Sequence, residues 1–260
     1  MLFTMADDNS EIKSVGSDVD RRIAFLVVVV SIVFFRISNL VTSKYIETPP
    51  RAASDPWRWR NLFVSWIHAI LCGSWDIMCF TAYPEMLEDL DGHMNYFTYT
   101  LVAFSTGYFI YDALDMFFNN RLLQDWGVTL HHIIVLICFI YSIWTSYATA
   151  IVCVALLVEV NGVFLHARKL MQIFQFSFEH KIYVLNKYIN LITFVIFRGG
   201  PISRVFYEFA YKCPAFNLPL RGVFIFLTVA MACINVILFW RLCKSDVLLT
   251  SRRKYVKENS

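Results

Sequence analysis

The chain is poor in charge. Asp, Glu, Lys and Arg make up 17% of its 260 residues, against 58% hydrophobic and 17% aromatic residues, a balance foreign to soluble domains. The seven cysteines, at positions 72, 79, 138, 153, 213, 233 and 243, include no C-x-x-C pair. They read as small buried apolar residues rather than a disulfide or zinc framework. There is no N-x-S/T sequon to mark an outer loop. The six histidines (68, 93, 131, 132, 166 and 180) fall short of the about eight, in H-x-x-x-H and H-x-x-H-H boxes, that a di-iron lipid oxidase requires. No metal site is therefore expected. The net charge of +3 is too small to point to nucleic acid.

What abounds is long apolar runs. A bilayer core about 30 Å thick needs roughly 20 apolar residues per helix, and runs of that length recur at about residues 22–41, 61–80, 97–118, 126–145, 147–168, 183–203 and 221–242. The expected fold is an all-α, polytopic transmembrane helical bundle of about seven spans. Residues 1–22 form a polar N-terminal segment, 23–54 the first span and a basic loop, 55–245 the main domain, and 246–260 a basic tail. The first run, Ile23 to Phe35, has the look of a secretory h-region behind Arg21 and Arg22. Arg36 interrupts it and no A-x-A site follows, so it is read as a retained helix.

Lys and Arg set the orientation. With the N-terminus outside and the C-terminus inside, the inner segments hold Lys44, Arg51, Arg58, Arg60, Arg121, Arg168, Lys169, Lys181 and the tail SRRKYVKENS. The outer loop AYPEMLEDLDGHMN has four acids and no Lys or Arg. Trp57 and Trp59, alternating with Arg58 and Arg60 in PPRAASDPWRWRN, suit an interfacial anchor before the second span.

Inside the spans lies a set of polar residues. Ser105, Tyr108, Asp112 and Asp115 share one helical face, Glu159 and His166 another, and Asn186, Asn190 and Thr193 a third ahead of the helix-breaking Arg198-Gly199-Gly200-Pro201. His131 and His132 begin the apolar stretch IIVLICFIYSIW. An ionisable residue at mid-membrane costs about 2.5 to 3.5 kcal/mol on insertion scales, so these groups must face one another or a wet cavity. The spacing predicts one cavity between the third, fourth and fifth spans, lined by Asp112, His131, His132, Glu159 and His166. A histidine oriented by a carboxylate can serve as a general base in acyl transfer. The competing reading is structural: His, Asp and Glu satisfying one another to fix helix packing.

The run GYFIYDALDMF, followed by RLLQDWGVTLHHIIVLICFIY, LLVEVNGVFLHARKLM and FVIFRGGP, resembles the TLC domain, named for the TRAM, Lag and CLN proteins, over about residues 55–245. Ceramide synthases of that superfamily use the double histidine with a later His-Asp and a further Asp. The matching helix here reads Val158-Glu159-Val160-Asn161-Gly162 and keeps one carboxylate, Glu159. The Glu-Asn-Gly helix is similar to that of the small TLC-domain proteins that regulate plasma-membrane fluidity by limiting long polyunsaturated chains in phospholipids such as phosphatidylethanolamine.

The resemblance implies a regulator of phospholipid acyl composition, multi-pass in the plasma membrane, with the endoplasmic reticulum as the alternative. Membrane phospholipids are its expected partners, with no nucleic acid. The alternatives are an acyl-CoA-dependent acyltransferase, with acyl-CoA as substrate and no bound cofactor, and a lipid or ion transporter. If it is an enzyme, His131, His132, Asp112 and Glu159 are the catalytic candidates. Ser105, Tyr108, Asp115, Asn161, His166, Asn190 and Arg198 are the candidates for lining the substrate cavity.

Overall fold

A computed structural model describes residues 19–212 and 216–248, helical throughout apart from turns and short links. The polar N-terminal segment up to residue 18, Cys213 and the tail beyond residue 248 lie outside the described residues. The helices are α1 (Arg21–Tyr45), α2 (Pro56–Ala82), α3 (Tyr96–Phe118), α4 (Trp126–Thr145), α5 (Thr149–Leu156), α6 (Val158–Ile173), α7 (Lys181–Phe194), α8 (Gly200–Tyr207) and α9 (Leu218–Cys243). Together they build a polytopic bundle of about seven membrane helices. The segments Arg21–Tyr45, Pro56–Ala82, Trp126–Thr145, Thr149–Ile173, Lys181–Lys212 and Leu218–Asp246 are each long and apolar enough to cross a membrane. The seventh, α3, is long enough, about 35 Å at 1.5 Å per residue. Its Thr, Tyr and Asp side chains are mostly buried among the other helices.

The helix starts follow local chemistry. Asp20 accepts from the Arg22 N–H at the head of α1. Asn95 and Thr98 form a reciprocal capping box at α3. Asp55, followed by Pro56, caps α2, since proline at the first helical position sacrifices an N–H that has no intrahelical partner. That cap starts the second span at residue 56, not 61, and corrects the interfacial-anchor reading. Trp57 and Trp59 are 8% and 1% exposed, packed inside the protein rather than lying at a lipid surface. Trp57 Nε1 donates to Asp115 Oδ2 at 2.7 Å, and the Arg121 guanidinium lies 4.8 Å from its ring centroid.

The fifth span is interrupted at Leu157, between α5 and α6. The sequence Arg198-Gly199-Gly200-Pro201 does not break the sixth span as expected. A π-helical turn at Val195–Gly199 widens the backbone, and α8 continues with Pro201 in its first turn. Proline has no N–H to donate back, and one wide turn is how a helix takes up such a gap.

Contacts between links define two faces. At the upper face the Asp20 N–H donates to Tyr96 Oη, Arg21 Nε to Ser146 Oγ, the Ala148 N–H to Asp91 O and Arg204 Nη2 to Leu87 O. At the lower face Arg121 pairs with Asp55 and Arg58 with Asp125, both at 2.8 Å, and Arg168 pairs with Asp246. The head of α1 is therefore at one face and the foot of α9 at the other.

Small residues bring the helices close. A Cβ on Gly107 of α3 would lie 2.5 Å from Ser31 Cβ and from Val28 O, so only glycine lets α1 seat there. Ser31 Oγ donates to Phe104 O and Asn39 Nδ2 to Tyr111 Oη across the same seam. The first helix is thus an integral packing partner of α3.

Candidate functional site

The polar residues fall into tiers. Nearest the lower face, Asp112 Oδ2 lies 3.2 Å from His132 Nε2, and its other oxygen accepts from Asn61 Nδ2 of α2. One turn on, Asp115 accepts from Trp57 and Asn119. These two carboxylates, adjacent on the helical stripe, thus serve separate partners. Both are nearly sealed from solvent, so the donors on α2 are what make their burial tolerable.

At mid-span stands a second group. His68 Nε2 is 3.0 Å from Ser105 Oγ, its Nδ1 is 3.7 Å from Glu159 Oε2, and its ring stacks on Tyr108 with centroids 3.7 Å apart at 12°. The order serine, histidine, carboxylate is that of a nucleophile, base and orienting acid. Ser105 is 0% exposed and does not border the cavity described below, so the group holds Glu159 in place and presents no accessible nucleophile. Gly73 permits the close α2 to α6 approach this needs, because a Cβ there would lie 3.1 Å from Val160 N.

A third group is built around Arg198. Its Nε donates to Asn161 Oδ1 at 2.7 Å and its Nη1 to Asn235 Oδ1 at 3.0 Å. Asn161 Nδ2 in turn donates to the Asn190 backbone and side-chain oxygens and to Thr193 Oγ1. Two amides, on α6 and α9, therefore hold the guanidinium, and Asn190 and Thr193 of α7 hold the first of them; the widened turn at residues 195–199 is what aims Arg198. Some buried atoms have no partner: His132 Nδ1, His166 Nδ1, Asn190 Nδ2 and both carboxyl oxygens of Asp76.

Beside these groups is a cavity with about 880 Å³ of space not filled by protein atoms, its open side included, bounded by α3 to α6, α8 and α9. His131 of α4 and Glu159 of α6 are its titratable lining groups apart from Cys138 and Tyr141. Ile134, Val135, Ile151, Val152, Leu156, Pro201, Ile202, Val205, Leu227 and Met231 supply an apolar wall, and Phe209, Phe216 and Phe224 close the upper end. Its lining suits an apolar chain with a polar group at one end.

The residues expected to share a cavity divide around this one. His131 and Glu159 face it, whereas Asp112, His132 and His166 do not, nor do Ser105, Tyr108, Asp115, Asn161, Asn190 and Arg198. Successive residues on a helix point about 100° apart, so His131 and His132 look into different surroundings. The histidine beside a carboxylate is His132, away from the cavity; the histidine in the cavity is His131. Among the described residues no three His, Cys, Asp or Glu side chains converge as a metal would need.

Sequence reasoning missed His68, Asn61 and Asn235. A signal for the first two was present: Asn61, Ser65, His68, Cys72 and Asp76 follow one another at helical spacings of four, three, four and four. That polar stripe on α2 faces the stripe on α3 and the Glu159 end of α6.

A family model described as TLC domain matches residues 58–244. TLC domain-containing protein 2 of Danio rerio is 34% identical over 231 residues, covering 88% of this chain and 92% of its own length. TLC domain-containing protein 1 of Homo sapiens is 33% identical over 206 residues, covering 77% and 81%. TLC domain-containing protein 2 of Homo sapiens is 30% identical over 207 residues, covering 78% and 76%. A multi-pass helical bundle with the double histidine on α4 and the Glu-Asn-Gly turn on α6, this chain belongs to the TLC domain family, among the TLC domain-containing proteins.

Proposed function

We propose that the protein controls the acyl composition of membrane phospholipids, and through it membrane fluidity, by holding one lipid acyl chain in the α3 to α9 cavity. The observation that carries this reading is the cavity itself: an apolar sleeve inside a membrane bundle, with His131 and Glu159 at its polar end. A bilayer lipid reaches such a cavity without crossing water. The resemblance to small TLC-domain proteins that limit polyunsaturated chains in phosphatidylethanolamine adds the direction of the effect, and the plasma membrane as its place.

The second reading is acyl transfer from acyl-CoA, favoured by the buried Asp112 and His132 contact at 3.2 Å beside His131 in the cavity. In that chemistry His131 would take the proton of an acceptor hydroxyl or amine. Asp112 would brace His132, and with it the turn of α4 that carries His131.

The lower face is taken as cytosolic. It gathers Lys44, Arg51, Arg58, Arg60, Arg121, Arg168, Lys169 and Lys181, whereas the upper face carries the acids of Glu85–Asp91. The upper face also has Arg21, Arg22, Arg204, Lys212 and Arg221. Two of these are engaged locally, Arg204 with Glu208 and Arg221 with the Phe209 and Ala210 carbonyls.

The test is lipid profiling of cells lacking the protein, rescued with wild type, with His131→Ala or with Met231→Trp, which fills the cavity. Both variants are expected at normal abundance and without rescue of the polyunsaturated phosphatidylethanolamine fraction. Full rescue by Met231→Trp would overturn the acyl-chain reading.

A further inference from the structure

We propose that Arg198 receives the carbonyl oxygen of an acyl ester or thioester whose chain fills the cavity. The chain then lies with its carbonyl end toward α6, the 195–199 turn and α9, and its methyl end toward Phe209, Phe216 and Phe224. This rests on the acyl-chain reading above and gives it an orientation and a ligand class.

The first reason is the excess of donors around Arg198. A guanidinium has five N–H donors and no acceptor. Its hydrogen bonds go to two neutral amide oxygens, on Asn161 and Asn235, and among the described residues it makes no ion pair within contact distance. In the same network Asn190, 0% exposed, has an Nδ2 with no acceptor. Groups left over here donate, so the missing atom is an acceptor. Tying three helices together would need only an amide at this position; a cation inside a membrane bundle is a costly way to do it.

The second reason is position. Pro201 and Ile202, one turn beyond Arg198, line the cavity; so do Val158 and Glu159, just before Asn161, and Met231, one turn before Asn235. Residues three and four apart share a helix face, so Arg198, itself outside the lining, stands directly behind the floor made by Val158, Pro201, Ile202 and Met231, and the carbonyl end of a bound chain meets it by passing between them. At the other end the rings of Phe209 and Phe224 stack 5.0 Å apart and Phe216 meets Phe224 at 5.4 Å.

The third reason is charge. Glu159 lines the cavity two residues before Asn161, which accepts from Arg198, so the carboxyl group and the guanidinium stand at the same end. A neutral carbonyl completes that set, while a free carboxylate would face Glu159 as a second anion.

The experiment is binding of methyl palmitate, palmitate and hexadecane to the full chain in detergent micelles, by native mass spectrometry. Wild type is expected to hold the ester about tenfold more tightly than hexadecane and more tightly than the acid. Arg198→Met is expected to keep hexadecane binding and lose the preference for the ester. Should that variant not fold, wild type suffices with two photoreactive esters. A diazirine beside the carbonyl should label the Glu159 to Pro201 end, and one at the methyl end should label Phe216 or Phe224. Reversed labelling, or an unchanged ester preference in Arg198→Met, overturns the proposal and leaves the acyl-chain reading standing. Failure of wild type to hold any of the three probes overturns both.

Discussion

His131 and His132 are neighbours in sequence, and the structure gives them different work: His132 Nε2 lies 3.2 Å from Asp112 Oδ2 in the wall between α3 and α4, while His131 looks into the cavity. A tandem pair on a helix is set about 100° apart, so one residue can brace a carboxylate while the next meets a ligand. Replacing both at once mixes these effects.

Taken singly, the two substitutions are expected to separate. His132→Ala leaves Asp112 buried with Asn61 as its remaining partner and should cost about 1 to 3 kcal/mol, the penalty of a buried oxygen that loses its donor, read as depletion on a blot and a lowered melting temperature in detergent. His131→Ala should leave abundance near wild type and alter the lipid profile. Equal depletion of the two would show that both histidines are structural.

Gly107 sits where α1 crosses α3. Gly107→Leu forces a side chain into Ser31 and the Val28 carbonyl, and overpacking of this kind costs about 1 to 3 kcal/mol. The expected result is a lowered melting temperature and easier proteolysis of the link between α1 and α2. An unchanged melting curve would show that α1 is not seated on α3.

Arg168 and Asp246 form a buried pair that ties the foot of α9 to α6, with Ser245 Oγ also accepting from the guanidinium. Asp246→Ala leaves a buried guanidinium without its carboxylate and is expected to cost about 3 to 5 kcal/mol. The double replacement Arg168→Met with Asp246→Leu should recover most of the loss, because two apolar groups of similar size need no partner. A thermal melt of the three variants measures it, and a double variant as weak as the single one contradicts the argument.

Sidedness has its own measurement. An epitope inserted between Glu88 and Asp89 is expected to be reached by antibody in intact cells, and one placed after residue 248 only after permeabilisation. The opposite pattern would invert the bundle and place the basic lower face outside.

The sequence alone determined the helical membrane class, about seven spans, and the family. These follow from apolar run length and from motif order along the chain, which are local properties that need no knowledge of packing. It also marked Asp112, the double histidine and Glu159 as buried polar residues, because a charge within an apolar run of span length must find a partner whatever the fold. Which partner each found was decided by the tertiary structure. The Asp55 and Pro56 cap starts α2 early enough for Trp57 to reach Asp115 and Asn61 to reach Asp112, contacts between residues more than fifty positions apart that no periodicity encodes. His68 meets Glu159 because Gly73 lets α2 and α6 approach, and the turn at residues 195–199 rotates Arg198 toward Asn161 and Asn235. Helical spacing fixes which residues share a face; it leaves open which neighbouring helix that face meets, and so only the packed helices show His131 and Glu159 bordering the cavity while the Asp112 and His132 contact stands outside its lining.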